Sequence, residues 1–378
     1  MKTLYIISKG INKPSDEEIR RLEAERKVPR WSLLEDAVNA ELLDERYLAD
    51  NPPALRRWLY NMIPIHYAQI IEALFIQSRY DAILSQSEKV GLPLAYLMKM
   101  LRINKPHSLI ISRITSVDAK KTRQKMWFLR KTKDTISRFL IWSSKQREIA
   151  INELGIDPNR IILIKRGTDQ KFWKLDSDKS DMICAVGMEA RDYPTLVEAM
   201  RPLDIPLHIA TGHSRGELFD TVKSLYTISD LPDNVDVGKK SLFELRELYA
   251  RSRFTVVSLI PTDSDNGLTA ILESMSMGKP VICTRVEGQI DVIQDGVTGI
   301  MIPQGDPEAM RKAITDLWND PERCLEMGRK AQEYIDTYHN MEQFAESIRK
   351  EVEASINENN GKSDVSVSSR KIKTAKAV

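Results

Sequence analysis

Residues 254–283 hold the feature that most restricts what this chain can fold into. "FTVVSLI" (254–260) is a β-branched run of strand type, and "DNGLTAILESMSMGKPVI" (265–282) places a helix and then a second strand directly after it. Leu268, Ile271, Leu272 and Met275 recur at i, i+3, i+4 and i+7 and form the buried face of that helix. Gly278 ends it, and Pro280 opens the strand Val281, Ile282, Cys283. A strand–loop–helix–strand unit of this kind belongs to a parallel sheet. Its loop and helix start then lie at the carboxyl edge of the strands, where ligands bind.

The same alternation runs through the chain twice. In the first half "TLYIIS" (3–8), Ala82–Leu84, "HSLIIS" (107–112), "RFLIWSS" (138–144) and "RIILIKRG" (160–167) read as strands between helical stretches. In the second half "MICAVG" (182–187) and "LHIATG" (207–212) are strands, and Pro194 sits in the first turn of the helix between them. Ser241 and Glu244 form a capping box, and Asp306–Pro307 starts a helix with Met310, Ala313, Ile314, Leu317 and Trp318 on one face. A chain of 378 residues exceeds one ordinary core. The expectation is therefore an α/β protein with a first domain over 1–165, a second over 166–340, a helix over 341–354 crossing back to the first domain, and a polar tail over 355–378 without fixed structure.

Composition narrows the class. Apolar residues make up 42% and charged residues 29%, the profile of a globular protein, and a net charge of +2 gives no argument for nucleic acid. No run approaches the roughly 18–20 apolar residues of a spanning helix. Cys184, Cys283 and Cys324 are too scattered for a zinc site or a disulfide framework, and they read as small buried hydrophobes. A cytoplasmic chain without cofactor is expected. Asp263-Ser264-Asp265 spells D-x-D, a nonspecific signal, and no catalytic metal is expected there.

At the start of the 268–276 helix the amides of Leu268 and Thr269 lack intrahelical acceptors and can hold a phosphate. Glu273, two turns after Asp265, can accept hydrogen bonds from sugar hydroxyls. Amides for phosphate beside a carboxylate for hydroxyls describe a nucleotide-sugar site, although a solvated glutamate would look the same.

The surrounding residues decide between them. Asp265 and Glu273 have the spacing of the E-x7-E region of the family 4 glycosyltransferases, with Asp in place of the commoner first Glu. "RGTDQKFW" (166–173) resembles the "NGVD…F" segment at the domain junction of that family. "VGMEARDYPTLVEA" (186–199), "TGHSRG", "LPDNVDVGKKSLFELRELYARS" and "DVIQDGVTGIMIPQGDPEAM" follow in the family's order. The resemblance covers roughly residues 137–340. It implies a GT-B fold, two Rossmann-like domains with parallel sheets facing across a cleft, and a retaining transfer of a hexosyl group from a UDP- or GDP-sugar to a glycan or lipid-linked acceptor. Glu273 would hold the ribose hydroxyls, Asp265 would face the hexose, and Arg191 would neutralise the diphosphate. Gly187, Gly212 and Gly267 complete the donor-binding set. The family pattern puts a basic residue after the first glycine. Here Met188 follows Gly187, so one cation is missing or comes from elsewhere, with Lys239 and Lys240 as candidates.

The first half matches less well. Its first strand ends "ISKGINK" with one glycine, and "LIISRITSVD" offers Arg113 where relatives carry a histidine. His107 reads as a surface residue. Between residues 99 and 147 bases far outnumber Asp118 and Asp134, and "KKTRQKMWFLRKTK" (120–133) mixes them with Trp127 and Phe128. That segment suits peripheral contact with an anionic membrane or an anionic acceptor, against an ordinary solvated helix. Two other functions stay open: a sugar-nucleotide epimerase of the same fold, and a non-catalytic nucleotide-sugar-binding protein.

Overall fold

The structure is a computed structural model. It describes residues 1–7, 14–114, 120–175, 177, 180–211, 225, 228 and 230–375, with the backbone alone at 120–123 and 362–375. The first sheet comprises β1 (Thr3–Ile6), β2 (Ala40–Leu43), β3 (Ala82–Ser85), β4 (His107–Ile110), β5 (Arg138–Ile141) and β6 (Ile161–Leu163). The second comprises β7 (Met182–Val186), β8 (Leu207–Ala210), β9 (Val235–Gly238), β10 (Ser252–Val257), β11 (Val281–Thr284) and β12 (Gly299–Ile302). Every pairing is parallel, in the orders β2-β1-β3-β4-β5-β6 and β12-β11-β10-β7-β8-β9.

Helices cover both faces, so β1, β3, β4, β5, β8 and β11 are buried along their whole length. The winding reverses at β1/β3 in one sheet and at β7/β10 in the other. The loops after β7 and β10 therefore leave in opposite directions and open a crevice, which is where the motif residues sit.

The chain passes between the sheets after β6 and comes back at residues 339–341. The two crossings are tied together where the Thr168 amide donates to the His339 carbonyl at 2.8 Å. At Gly167 a side chain would come within 2.5 Å of Phe344. Arg30 closes the junction: its guanidinium donates to Asp169 at 2.7 and 3.0 Å and to Glu342 at 2.7 Å, and its amide donates to Asp169 at 2.7 Å.

The last helix, Met341–Ala375, packs on helix Ser32–Ala37 and on β3, β4 and β5. Ala345, Ile348 and Val352 join Tyr5, Leu84 and Leu140 in one apolar cluster. This helix runs past residue 354, where the sequence leads one to expect a structureless tail. Ser355 is buried and Glu358 pairs with Arg138 of β5, contacts that a one-chain pattern does not display. Residues 376–378 lie outside the described residues.

His107 is also placed differently from the surface position expected of it. It is fully buried in β4, its Nε2 lies 2.9 Å from Ser85 Oγ, and burial lowers its pKa to about 4. His107 precedes the apolar run, but β4 is central, so its first residue is covered as well. The three cysteines are buried and unpaired.

Asp169 is 2% exposed, so replacing Arg30 leaves a buried carboxylate without its counter-charge. Arg30→Leu is expected to cost about 3–5 kcal/mol, the usual penalty for breaking a buried pair from one side. Arg30→Lys should recover part of this, and denaturant unfolding of the three proteins measures it. Equal midpoints would show the junction to be held by packing alone.

Candidate active site

Two adjoining cavities occupy the crevice, of about 440 and 1160 Å³. Glu273, Leu272 and Trp173 line the smaller, while Asp265, Asn266, Gly267 and Arg191 line the larger. Thr269, Arg166, Ser112 and Trp142 line both. The sequence-expected acids thus stand on either side of the start of helix Leu268–Ser276, and Thr269 and Arg166 separate them.

That helix starts where it does because of Gly267. The glycine has φ +88°, and a Cβ there would lie 2.8 Å from Val257 of β10. The Leu268 amide already donates to the Asp265 carbonyl at 3.2 Å, and the Leu268 side chain is in the core. Thr269 is exposed to both cavities, and its amide is the first at the helix start free to meet an anion among the described residues. The phosphate amides expected at Leu268 and Thr269 therefore reduce to one backbone donor at Thr269.

Glu273 accepts a hydrogen bond from the buried Tyr249 hydroxyl at 3.1 Å. Burial pushes its carboxyl up to about 7, against the pull of Tyr249 and Arg166. Burial also raises Asp265, and Arg166 and Arg113 oppose the rise. Both acids thus face Arg166, whose guanidinium has no ion-pair partner among the described residues.

Arg191 is 5% exposed, and its guanidinium is committed to the loop it belongs to. Nε and Nη2 donate to the Val186 carbonyl at 3.0 and 2.9 Å, and Nη1 donates to that of Glu189 at 2.8 Å. Gly187, at φ +118°, makes room for it: a Cβ there would lie 2.1 Å from Arg191 Nη2. Gly187 thus shapes the loop, and its neighbours Met188 and Glu189 line the cavity. Gly212 lies outside the described residues. Lys239 and Lys240 line neither cavity. No group of three or more His, Cys, Asp or Glu suited to a metal occurs among the described residues.

Sequence reasoning missed Arg166. It was legible only as a departure, since Arg stands where the junction segment it resembles has Asn. Arg113 pairs across the cleft with Glu189 at 3.0 Å, and within the first domain Lys125 pairs with Glu88 at 3.0 Å. The basic segment expected at 99–147 is divided by these contacts. Lys125, Arg138 and Lys145 are held in ion pairs, while Lys99, Arg102, Arg130 and Lys131 are exposed.

Residues 168–334 match the family described as Glycosyl transferases group 1. The uncharacterized glycosyltransferase MJ1178 of Methanocaldococcus jannaschii is 23% identical over 177 residues, 47% of this chain and 49% of that protein. The D-rhamnosyltransferase WbpZ of Pseudomonas aeruginosa is 36% identical over 146 residues, 38% of this chain and 34% of that one. The chain thus spans half or less of the length of these curated relatives. Among solved structures, the Anabaena protein Alr3699/HepE in complex with UDP and glucose superposes with a TM-score of 0.67 at 16% identity, over 93% of this chain and 98% of that one. Sucrose-phosphate synthase from Thermosynechococcus elongatus gives 0.69 at 16% identity, over 92% and 97%. The fold is GT-B.

The raised Glu273 carboxyl has a consequence for stability. The folded state holds this proton up to about pH 7, the unfolded chain only to its ordinary value of 4.5. The folded state is therefore favoured while the group is protonated, and that contribution is lost as pH rises through 7. Glu273→Gln should raise the melting temperature at pH 8 and leave it nearly unchanged at pH 5. A lower melting temperature at pH 8 would mean that the charged form is stabilised in place.

Proposed function

Through residues 168–334 the chain belongs to the glycosyl transferases of group 1, and from that premise we propose that it is a retaining hexosyltransferase using a nucleoside-diphosphate sugar. One observation carries the reading. The Thr269 amide and the Glu273 carboxylate, one turn apart on a helix at the switch point of the second sheet, offer a phosphate donor and a hydroxyl acceptor to a single ligand. Glu273 takes the ribose hydroxyls, the Thr269 amide takes a phosphate, and Asp265, before the helix, faces the hexose.

The anomeric carbon–oxygen bond to the diphosphate breaks, and its electron pair leaves with the diphosphate oxygen. The acceptor oxygen bonds the anomeric carbon on the same face, and its proton goes to the departing oxygen. Cations beside the diphosphate stabilise the charge that develops there. Arg191 offers its remaining N–H groups from the β7 loop. Arg166 supplies, from the junction, the second cation that the loop lacks at Met188.

The acceptor, a glycan or a lipid-linked molecule, enters from the first domain through the larger cavity. Its volume of about 1160 Å³ supports transfer to a second substrate, which an epimerase does not need. The UDP and glucose held by the Anabaena structure make a UDP-sugar the first donor to test.

Glu273→Gln loses charge-assisted hydrogen bonds worth about 1.5–3 kcal/mol, so calorimetry should show nucleoside-diphosphate affinity falling roughly ten- to a hundredfold. Asp265→Asn should lower kcat more than affinity. Arg166→Ala should slow transfer by about 10² or more, with partial recovery in Arg166→Lys. Wild-type affinity in Glu273→Gln, or wild-type kinetics in Arg166→Ala, would remove that residue from the site.

A further inference from the structure

The first domain turns an apolar helix face outward. Leu55, Trp58, Leu59 and Met62 recur at i, i+3, i+4 and i+7 along helix Ala54–Tyr60 and the turn after it, the spacing of one helical stripe. They are 78%, 62%, 41% and 65% exposed, and within that helix Tyr60 is the residue that is buried. Tyr67 and Phe75 extend the surface along the next helix, Ile65–Ile76, at 52% and 61% exposed. Elsewhere among the described residues, apart from the adjacent Met100 and Leu101, large exposed apolar side chains such as Leu163, Phe243 and Leu325 stand singly. Single exposed residues are ordinary, but a stripe of four is a contact surface.

Charge says what kind of contact. Between Asp50 and Glu72 the chain carries Arg56, which pairs with Glu72 at 3.3 Å, and Arg57, which is exposed and in no ion pair among the described residues. Helix Ile65–Ile76 packs on helix Glu88–Met100, which packs on helix Lys120–Thr132, so the three form one layer. That layer carries Lys99, Arg130 and Lys131, with Arg102 just after its middle helix. All four are exposed and, like Arg57, none is in an ion pair among the described residues. Trp127 stands among them, 44% exposed. Exposed apolar side chains together with unpaired bases on the helices of one domain match the headgroup boundary of an anionic bilayer.

The stripe is also continuous with the crevice. His66 and Tyr67 line the larger cavity, and the other two helices of the layer add Pro93, Gln124 and Phe128 to its wall. We infer that the stripe Leu55–Met62 docks on an anionic lipid surface, and that an acceptor held in that surface reaches the cavity past Tyr67. The docking stands on the exposed surface alone, whereas the delivery of an acceptor rests on the glycosyl-transfer reading. The centre of contact is then this stripe, with only the unpaired part of the 99–147 segment beside it.

The test is sedimentation of the full chain with vesicles of phosphatidylcholine alone and of phosphatidylcholine and phosphatidylglycerol in equal parts. Wild-type protein should sediment with the mixed vesicles at low salt, much less with the neutral ones, and added salt should release it. Trp58→Glu with Met62→Glu should reduce the bound fraction roughly tenfold. Leu325→Glu, at an equally exposed position of the second domain, should change nothing. Circular dichroism and nucleoside-diphosphate affinity, measured on every variant, show whether the fold and the donor site are intact. Loss of docking with wild-type nucleotide affinity supports the inference. Failure of the wild type to bind nucleotide while still sedimenting sinks the transferase reading and leaves the docking. Wild-type protein that stays in the supernatant, or a double variant that sediments like it, overturns the docking. So does a wild-type dimer in sedimentation velocity that the double substitution makes monomeric without any vesicle binding.

Discussion

The chain crosses between the two parallel sheets twice, and Arg30 ties the two crossings together through Asp169 and Glu342. The Asp169 carboxylate is buried and takes the Arg30 side chain and amide together with the Lys171 amide. Arg30 then reaches Glu342 on the helix that returns to the first sheet. A buried ion pair is weak evidence for net stability, because desolvation offsets most of its attraction. Its value here is geometric. It fixes the segment 166–169 against the returning helix, and with it the position of Arg166 at the mouth of both cavities. The separation of the two carboxyl edges, and so the size of the crevice, follows from that junction.

The site works against the stability of the fold. Glu273 sits where burial resists its charge, and its closest polar partner is a tyrosine hydroxyl rather than a cation. Asp265 is under the same pressure, more weakly. A folded chain selected for stability alone would place amides or apolar groups at these positions. Carboxylates kept there, facing an unpaired guanidinium, make sense if a ligand supplies the missing hydrogen-bond donors and the missing anion. The helix start follows the same pattern: Gly267 has no side chain with which to cap it, and the exposed Thr269 lines both cavities two residues on.

Legibility in the sequence followed burial. The central strands stand out because each carries a short run of apolar, often β-branched residues, and the strand–helix–strand unit at 254–283 is plain because its helix buries a full stripe. The edge strands β2, β9 and β12 were not singled out. Each is only partly buried; "AELL" and "VDVG" are each interrupted by an acid, and "GIMI" is apolar but four residues long. The two acids that line the cavities, Asp265 and Glu273, are legible through their spacing. The state of Arg191 is not, since no pattern reveals that its guanidinium turns back on the carbonyls of Val186 and Glu189. Arg166 does not stand out, because its place beside Asp265 and Glu273 depends on how the chain crosses between the sheets. The outward stripe at 55–62 has helical spacing, and spacing alone cannot tell a face that meets a core from one that meets something else.

The central claim is that one ligand spans Thr269 and Glu273. A crystal structure with a bound nucleoside diphosphate tests it most directly. The account predicts ribose hydroxyls within hydrogen-bonding distance of the Glu273 carboxylate, a phosphate on the Thr269 amide, and the Arg166 guanidinium turned toward the diphosphate. A nucleotide seated on the first sheet, or one whose ribose lies away from Glu273, would contradict it.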